Sequence, residues 1–150
     1  MGKYYDELHV GDVYKHSITR TVTETDNLLF TTLTHNAQPL HLDEEYSKKT
    51  IHGERIVNSL FTLSLLVGVT VADLTAGTTL GNLGFNDTFF PHPVKIGDTL
   101  YFETTIVDKR LSKSRPNTGV VTFKHSGYNQ KNELVVEAKR VGLILKEQTA

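Results

Sequence analysis

The residues able to do chemistry fall in three places. The first is the polar, proline-broken stretch Asn36-Ala37-Gln38-Pro39-Leu40-His41-Leu42-Asp43. Histidine titrates near neutral pH, so His41 can take a proton from water and return it. Taken alone, a loop histidine more often does no more than bond to backbone. Asn36, five residues earlier, can hold a water or a substrate oxygen but cannot exchange a proton near neutral pH. Gln38 offers the same amide groups. His35 adjoins Asn36 and could face either way. Asp43 is the nearest acid, but it stands where a helix N-cap belongs.

The second place is Asn58-Ser59, at the mouth of a long apolar segment. The first turn of a helix has unpaired N–H groups and a partial positive charge, which suits a developing oxyanion. Plain capping by Asn58 is the alternative, and the two coexist because a cap fixes where free amides point. The third is the basic group Lys109, Arg110, Lys113 and Arg115 within one strand-and-loop segment. It can meet an anionic ligand or form a solvated hairpin tip.

These groups need elements to position them. Thr23, followed by Glu24, Thr25 and Asp26, predicts an N-cap with acids in the first turn, and Leu28, Leu29, Phe30 and Leu33 supply an apolar face. Residues 34–41 read as a loop, and Asp43 can cap a short helix reaching Lys49. The segment from Val57 to Leu74 is apolar around nearly its whole circumference, and such a helix must be surrounded by protein. It would be about 27 Å long, but its polar residues and scarce basic flanks favour a core helix over a membrane span. Strand-like stretches cover 13–22, 78–90, 99–109, 119–128 and 134–146, separated by turn residues. Within 99–109, Leu100, Phe102, Thr104, Ile106 and Asp108 share one side while Tyr101 and Val107 lie on the other. A two-sided apolar pattern points to cover on both faces, as in a dimer. One apolar helix and a run of sequential strands predict an α+β fold with an antiparallel sheet curled around that helix.

With 150 residues and no internal repeat or linker, the chain reads as one domain over 1–150. A net charge of -1 and the lack of a basic motif argue against nucleic acid or an anionic membrane as partner. The absence of cysteine excludes disulfides, zinc-thiolate sites and a thiol nucleophile, and fits a reducing compartment. The opening residues are polar and acidic rather than basic then apolar, so the expectation is a soluble, cytoplasmic protein. No histidine pair has convincing metal-ligand spacing, and no metal is expected.

Gln38-Pro39-Leu40-His41-Leu42-Asp43 resembles the hydratase loop of the MaoC-like, R-specific enoyl-CoA hydratase family. Val10-Gly11-Asp12, Arg20-Thr21-Val22-Thr23-Glu24, the stretch from Ile56 to Leu66, and Pro93-Val94-Lys95-Ile96-Gly97-Asp98-Thr99-Leu100 extend the resemblance in order along nearly the whole chain. Val57-Asn58-Ser59-Leu60-Phe61-Thr62-Leu63, Ser112-Lys113-Ser114-Arg115-Pro116 and Gly127-Tyr128-Asn129-Gln130 are similar to a narrower branch, that of mesaconyl-CoA hydratase and methylmalyl-CoA dehydratase.

The resemblance implies a hot-dog fold, with short extra helices before a long central helix, usually paired as a dimer or larger homo-oligomer. It implies a hydratase or dehydratase, a carbon–oxygen lyase that adds or removes water at the 2,3 double bond of an acyl-CoA. No cofactor is implied beyond the coenzyme A of the substrate. His41 would handle the proton, Asn36 would orient water, and Ser59 would present its backbone N–H as oxyanion donor. Asn58 and Gln38 would contact substrate, and Lys109, Arg110, Lys113 and Arg115 would meet the coenzyme phosphates. Asn36 stands where better-known members carry aspartate, and Asn58-Ser59 replaces a histidine-glycine pair. A hot-dog acyl-CoA thioesterase and a noncatalytic acyl-CoA-binding subunit are the rival readings.

Overall fold

The computed structural model describes residues 1–147. Helix α1 (Glu24–Leu33) begins with a reciprocal cap: the Asp26 N–H donates to Thr23 Oγ1 at 3.2 Å, and the Thr23 N–H donates to the Asp26 carboxylate at 2.8 Å. A single turn, α2 (Pro39–Leu42), occupies what the sequence reads as loop. Proline at the first helical position presets φ and lacks only an N–H that would be unpaired there. The Gln38 N–H donates to Asn36 Oδ1 at 3.1 Å, turning the chain into α2. Asp43 caps α3 (Glu44–Ser47) by accepting from the Tyr46 N–H at 2.9 Å, and that helix ends short of Lys49.

The long apolar segment divides in two. Asn58 caps α4 (Ser59–Val69) by accepting from the Leu60 N–H at 3.0 Å, and beyond Thr70 the chain continues as a π-helical turn at Val71–Thr75. No helix of the described chain is long and apolar enough to cross a membrane.

Strands β1 (Val13–Lys15), β2 (Arg20–Thr21), β3 (Thr79–Phe89), β4 (Thr99–Leu111), β5 (Thr118–Tyr128) and β6 (Leu134–Leu145) form an antiparallel sheet. Its order is β1-β4-β5-β6-β3, with β2 also on β4. Leu66 and Val69 of α4 pack against Leu100, Phe102, Val135 and Val136. This is the α+β hot-dog arrangement that the resemblance implies. Residues 13–22, expected as one strand, make two short ones, because the pairing with β4 shifts by two residues between Lys15–Glu103 and Arg20–Leu100.

Burial on β4 settles its phase. Leu100, Phe102, Thr104 and Ile106 face inward. Register then slips between the pairs Ile106–Phe123 and Asp108–Thr122, leaving Val107 as a bulge. Past it, Lys109 stands opposite the buried Val121, so inside and outside are exchanged at the end of the strand. The helix expected to be wholly surrounded has an uncovered side in the single chain, where Leu60 is 56% exposed. Leu80, Leu83, Phe85 and Phe89 on the edge strand β3 are exposed as well.

A buried polar chain runs through the core from β6 to the π-helical turn. Arg140 Nε can only donate, so His125 Nε2 accepts at 3.1 Å, and the His125 proton sits on Nδ1. Nδ1 donates to Thr104 Oγ1 at 2.8 Å, Thr104 donates to His16 Nε2 at 2.8 Å, and His16 Nδ1 donates to Asp73 at 2.8 Å. Burial, with Arg140 and His16 beside it, pushes the His125 imidazole down from 6.5 to about 3. Below 6.5 the unfolded chain takes up a proton that the folded ring refuses until about 3. Stability from this group is therefore full above 6.5 and lost as pH falls through that window, at about 1.4 kcal/mol per pH unit. Urea melts between pH 7 and 4 should show this slope, and His125→Gln, which keeps an acceptor for Arg140 and a donor for Thr104, should flatten it. An equal slope in both proteins would assign the acid sensitivity elsewhere.

Candidate active site

The helices before α4 form one braced unit. Arg55 ties α1 to α3, donating to Glu24 at 2.7 Å and to Glu44 at 2.9 Å. Between them α2 carries His41, whose side chain is largely buried. His41 Nδ1 lies 2.8 Å from the Ile56 carbonyl oxygen. A carbonyl only accepts, so the proton is on Nδ1 and the neutral ring keeps its lone pair on Nε2. That is the tautomer a general base needs.

The N-terminus of α4 is the second half of the arrangement. The Leu60 N–H is taken by the Asn58 side chain, and the Phe61 and Thr62 N–H groups reach the Asn58 carbonyl at 3.0 and 3.3 Å. No acceptor is found for the Ser59 N–H among the described residues. A cleft of about 290 Å³ opens at this point, with Ile56, Val57, Ser59, Thr62 and His92 in its wall. The buried Thr62 Oγ1, one turn after Ser59, has no hydrogen-bond partner among the described residues. His41 is not in the cleft wall, but Ile56, which it grips, is.

Asn36 is half-buried beside this unit. Its Oδ1 closes the turn into α2, while its Nδ2 makes no hydrogen bond among the described residues and is free to donate. His35 takes a left-handed backbone (φ 55°) with its side chain exposed. Gln38 is exposed and lines a neighbouring hollow with Lys49 and His52. Asn58 does not reach the surface: it is 2% exposed, with Nδ2 donating to Thr31 Oγ1 at 3.3 Å. Its side chain is a cap, and a substrate contact through it would need the burial undone.

The four basic residues do not stay together. Arg110, Lys113 and Arg115 line one hollow with Leu83 and Leu143. Lys109, turned inward by the bulge at Val107, donates to the carbonyls of Tyr5 at 2.9 Å and Leu8 at 2.6 Å, 4.1 Å above the Tyr5 ring. Its ammonium holds the N-terminal segment and is directed away from the hollow. Among the described residues no cluster of His, Cys, Asp and Glu is placed to hold a metal ion.

Two residues of this unit escape a reading of the sequence. Asn27, fully buried on α1, donates from Nδ2 to the His41 carbonyl at 3.0 Å and accepts from the Asn58 N–H through Oδ1 at 3.0 Å. Thr31, one turn on, receives the Asn58 amide. Their only trace in the sequence is a polar pair at i, i+4 on one face of α1.

A histidine on a single helical turn with its Nδ1 proton committed to backbone, and an open helix N-terminus under the curled antiparallel sheet, place the chain among hot-dog domains. The chain belongs to the MaoC like domain family, whose model matches residues 7–144. It is 28% identical over 149 residues to mesaconyl-CoA hydratase of Cereibacter sphaeroides, covering 99% of this chain and 43% of that one. It is also similar to a solved monoamine oxidase regulatory protein from Archaeoglobus, at 34% identity and a TM-score of 0.87 over 98% and 97% of the two chains. A Mycobacterium tuberculosis protein with a double hot-dog fold shares the fold alone: TM-score 0.89, 20% identity, with 99% of this chain matching 46% of that one. The chain thus spans less than half the length of the mesaconyl-CoA hydratase that it matches.

Proposed function

We propose that the chain hydrates the 2,3 double bond of an enoyl-CoA thioester, and catalyses the reverse dehydration. The observation that carries this is the commitment of the His41 Nδ1 proton to Ile56, which leaves Nε2 as a base, while Ile56 shares the cleft wall with Ser59, whose N–H has no partner among the described residues. The thioester oxygen accepts from the Ser59 N–H, drawing electrons from the double bond. A water held by Asn36 Nδ2 attacks C3 and gives its proton to His41 Nε2. The electron pair moves onto the thioester oxygen, where the helix N-terminus stabilises the enolate. C2 then takes the proton from His41, and elimination runs the same steps backwards. The unpartnered Thr62 hydroxyl supplies a further polar contact in the cleft.

The similarity to mesaconyl-CoA hydratase makes mesaconyl-CoA the first substrate to assay. A CoA ester as substrate and the cysteine-free chain fit a cytoplasmic location. A homodimer is part of the same reading. The exposed apolar residues of β3 and Leu60 of α4 are the surface for it, and a second copy would supply the second hot-dog unit that some fold relatives carry in one chain. Val135, in the cleft wall, and Leu143, in the basic hollow, lie on one strand about 26 Å apart at about 3.3 Å per residue. Antiparallel pairing of two β3 edges brings the hollow of one copy towards the cleft of the other. Arg110, Lys113 and Arg115 would then receive the phosphates of a coenzyme bound across the pair.

The test is a panel of enoyl-CoA esters incubated with the purified chain, followed by loss of the conjugated thioester absorbance and appearance of the 3-hydroxyacyl ester. Release of free thiol instead would identify a thioesterase, and binding without turnover a noncatalytic subunit. Arg115→Glu should raise KM for CoA esters about ten-fold, the loss of one charge-assisted bond, and spare a truncated thioester lacking the phosphates. Equal losses on both would remove the phosphate contact.

A further inference from the structure

We infer that Asn27 is the positioning residue that fixes His41 against the N-terminus of α4, an inference that rests on the hydratase reading above. The two reactive groups come from different elements, α2 and α4, separated by residues 43–58. Chain continuity alone does not hold them in register. Asn27 does so with one side chain: its Nδ2 donates to the main-chain carbonyl of His41 and its Oδ1 accepts from the main-chain N–H of Asn58, both at 3.0 Å. Asn58 immediately precedes Ser59, whose N–H is unpaired among the described residues. The bridge therefore runs from the residue bearing the base to the residue next to the oxyanion donor.

Few side chains can make this bridge. It needs a donor and an acceptor on one short planar group, which an amide supplies without a change of protonation. A carboxylate would set an oxygen against the His41 carbonyl and bury a charge, since Asn27 is fully buried. An aliphatic side chain would leave a buried carbonyl and a buried N–H without partners. Thr31 completes the clamp one turn along α1 by accepting from Asn58 Nδ2, so a single face of α1 sets both the position and the cap of α4. The brace from Arg55 to Glu24 and Glu44 holds α1 and α3 together but touches neither reactive residue. Asn27 touches neither the cleft nor the water, and it acts through His41 and Asn58. Its loss widens the geometry without removing a reacting group, so the effect falls on kcat rather than on KM. A misplacement on the order of 1 Å is worth up to about 100-fold in rate. The same slack loosens the His41 Nδ1 bond to Ile56 and lets the ring sample its other tautomer.

The experiment uses the full chain, Asn27→Ser as the mild variant and Asn27→Leu as the severe one. Each is assayed below its melting temperature on the enoyl-CoA that the parent hydrates best. Long-range proton–nitrogen NMR spectra of the His41 ring are recorded beside the kinetics. The expected result is a folded Asn27→Ser protein with kcat lowered about 10- to 100-fold, KM within about three-fold of the parent, and averaged tautomer signals where the parent shows the Nδ1–H form alone. A folded variant with the parent's tautomer or the parent's kcat overturns the inference. Failure of both variants to fold also overturns it, because Asn27 would then be a stability residue only. Should the parent hydrate no ester, the ring spectra still decide the positioning role, and the missing turnover counts against the hydratase reading alone.

Discussion

His41→Ala is expected to lower hydration by about two to four orders of magnitude, the usual worth of a positioned general acid–base. With Nδ1 donating to the Ile56 carbonyl, Nε2 is the ring atom left to take a proton from water and return it to C2. Asn36 cannot replace it, because an amide neither gains nor loses a proton near neutral pH. Asp43 is turned to the start of α3, where its Oδ1 accepts from the Tyr46 N–H, and it does not line the cleft. Alanine also leaves the Ile56 carbonyl without its partner, so His41→Gln is the companion: its amide can still donate to Ile56 but transfers no proton. Both variants should bind CoA esters and fail to hydrate them. Turnover near that of the parent in His41→Gln would end the assignment of His41 as the base.

Asn36 is the complementary case. Restoring a carboxylate with Asn36→Asp would keep the acceptor for the Gln38 N–H while removing the free Nδ2 donor. In the proposed reaction Asn36 is therefore a donor to the attacking water, and His41 alone carries the proton.

Much of this was legible because local chemistry agreed with the fold. Thr23 with Asp26, and Asp43 before Glu44, read as caps and are caps. Strand β4 alternates as its sequence does from Leu100 to Ile106. What was not legible depends on long-range register or on single polar side chains. The bulge at Val107 has no turn residue to announce it, yet it decides that Lys109 faces Tyr5 while Arg110 lines the outer hollow. The turn at Pro39–Leu42 is too short to show a period, and its proline reads equally as a helix start or a break. Asn27 is hidden because its partners, His41 and Asn58, are 14 and 31 residues away along the chain. The long apolar segment read as a helix to be surrounded, and its exposed Leu60 marks where a single chain stops short of that.

Ser59→Pro removes the proposed oxyanion donor with little else changed. Ser59 is the first residue of α4, the one helical position where proline is favoured, because φ near -65° is already required and no intrahelical bond uses the N–H. The residue before a proline is kept out of the helical region, and Asn58, with ψ 121° at φ -57°, is already out of it. The capping bond from the Leu60 N–H to Asn58 does not involve the substituted group. The variant therefore keeps the helix, its cap and its dipole, and loses one N–H. Removal of a single oxyanion donor typically costs about 10²–10³ in kcat, about 3–4 kcal/mol of barrier. That loss should fall on kcat, because the hydrogen bond strengthens as charge builds on the thioester oxygen. Ser59→Ala keeps the N–H and removes only the hydroxyl, so it should retain most of the rate. If the two variants, both folded by circular dichroism, turn over equally well, the N–H of Ser59 is not where the enolate is stabilised, and the donor must be sought elsewhere on the cleft wall.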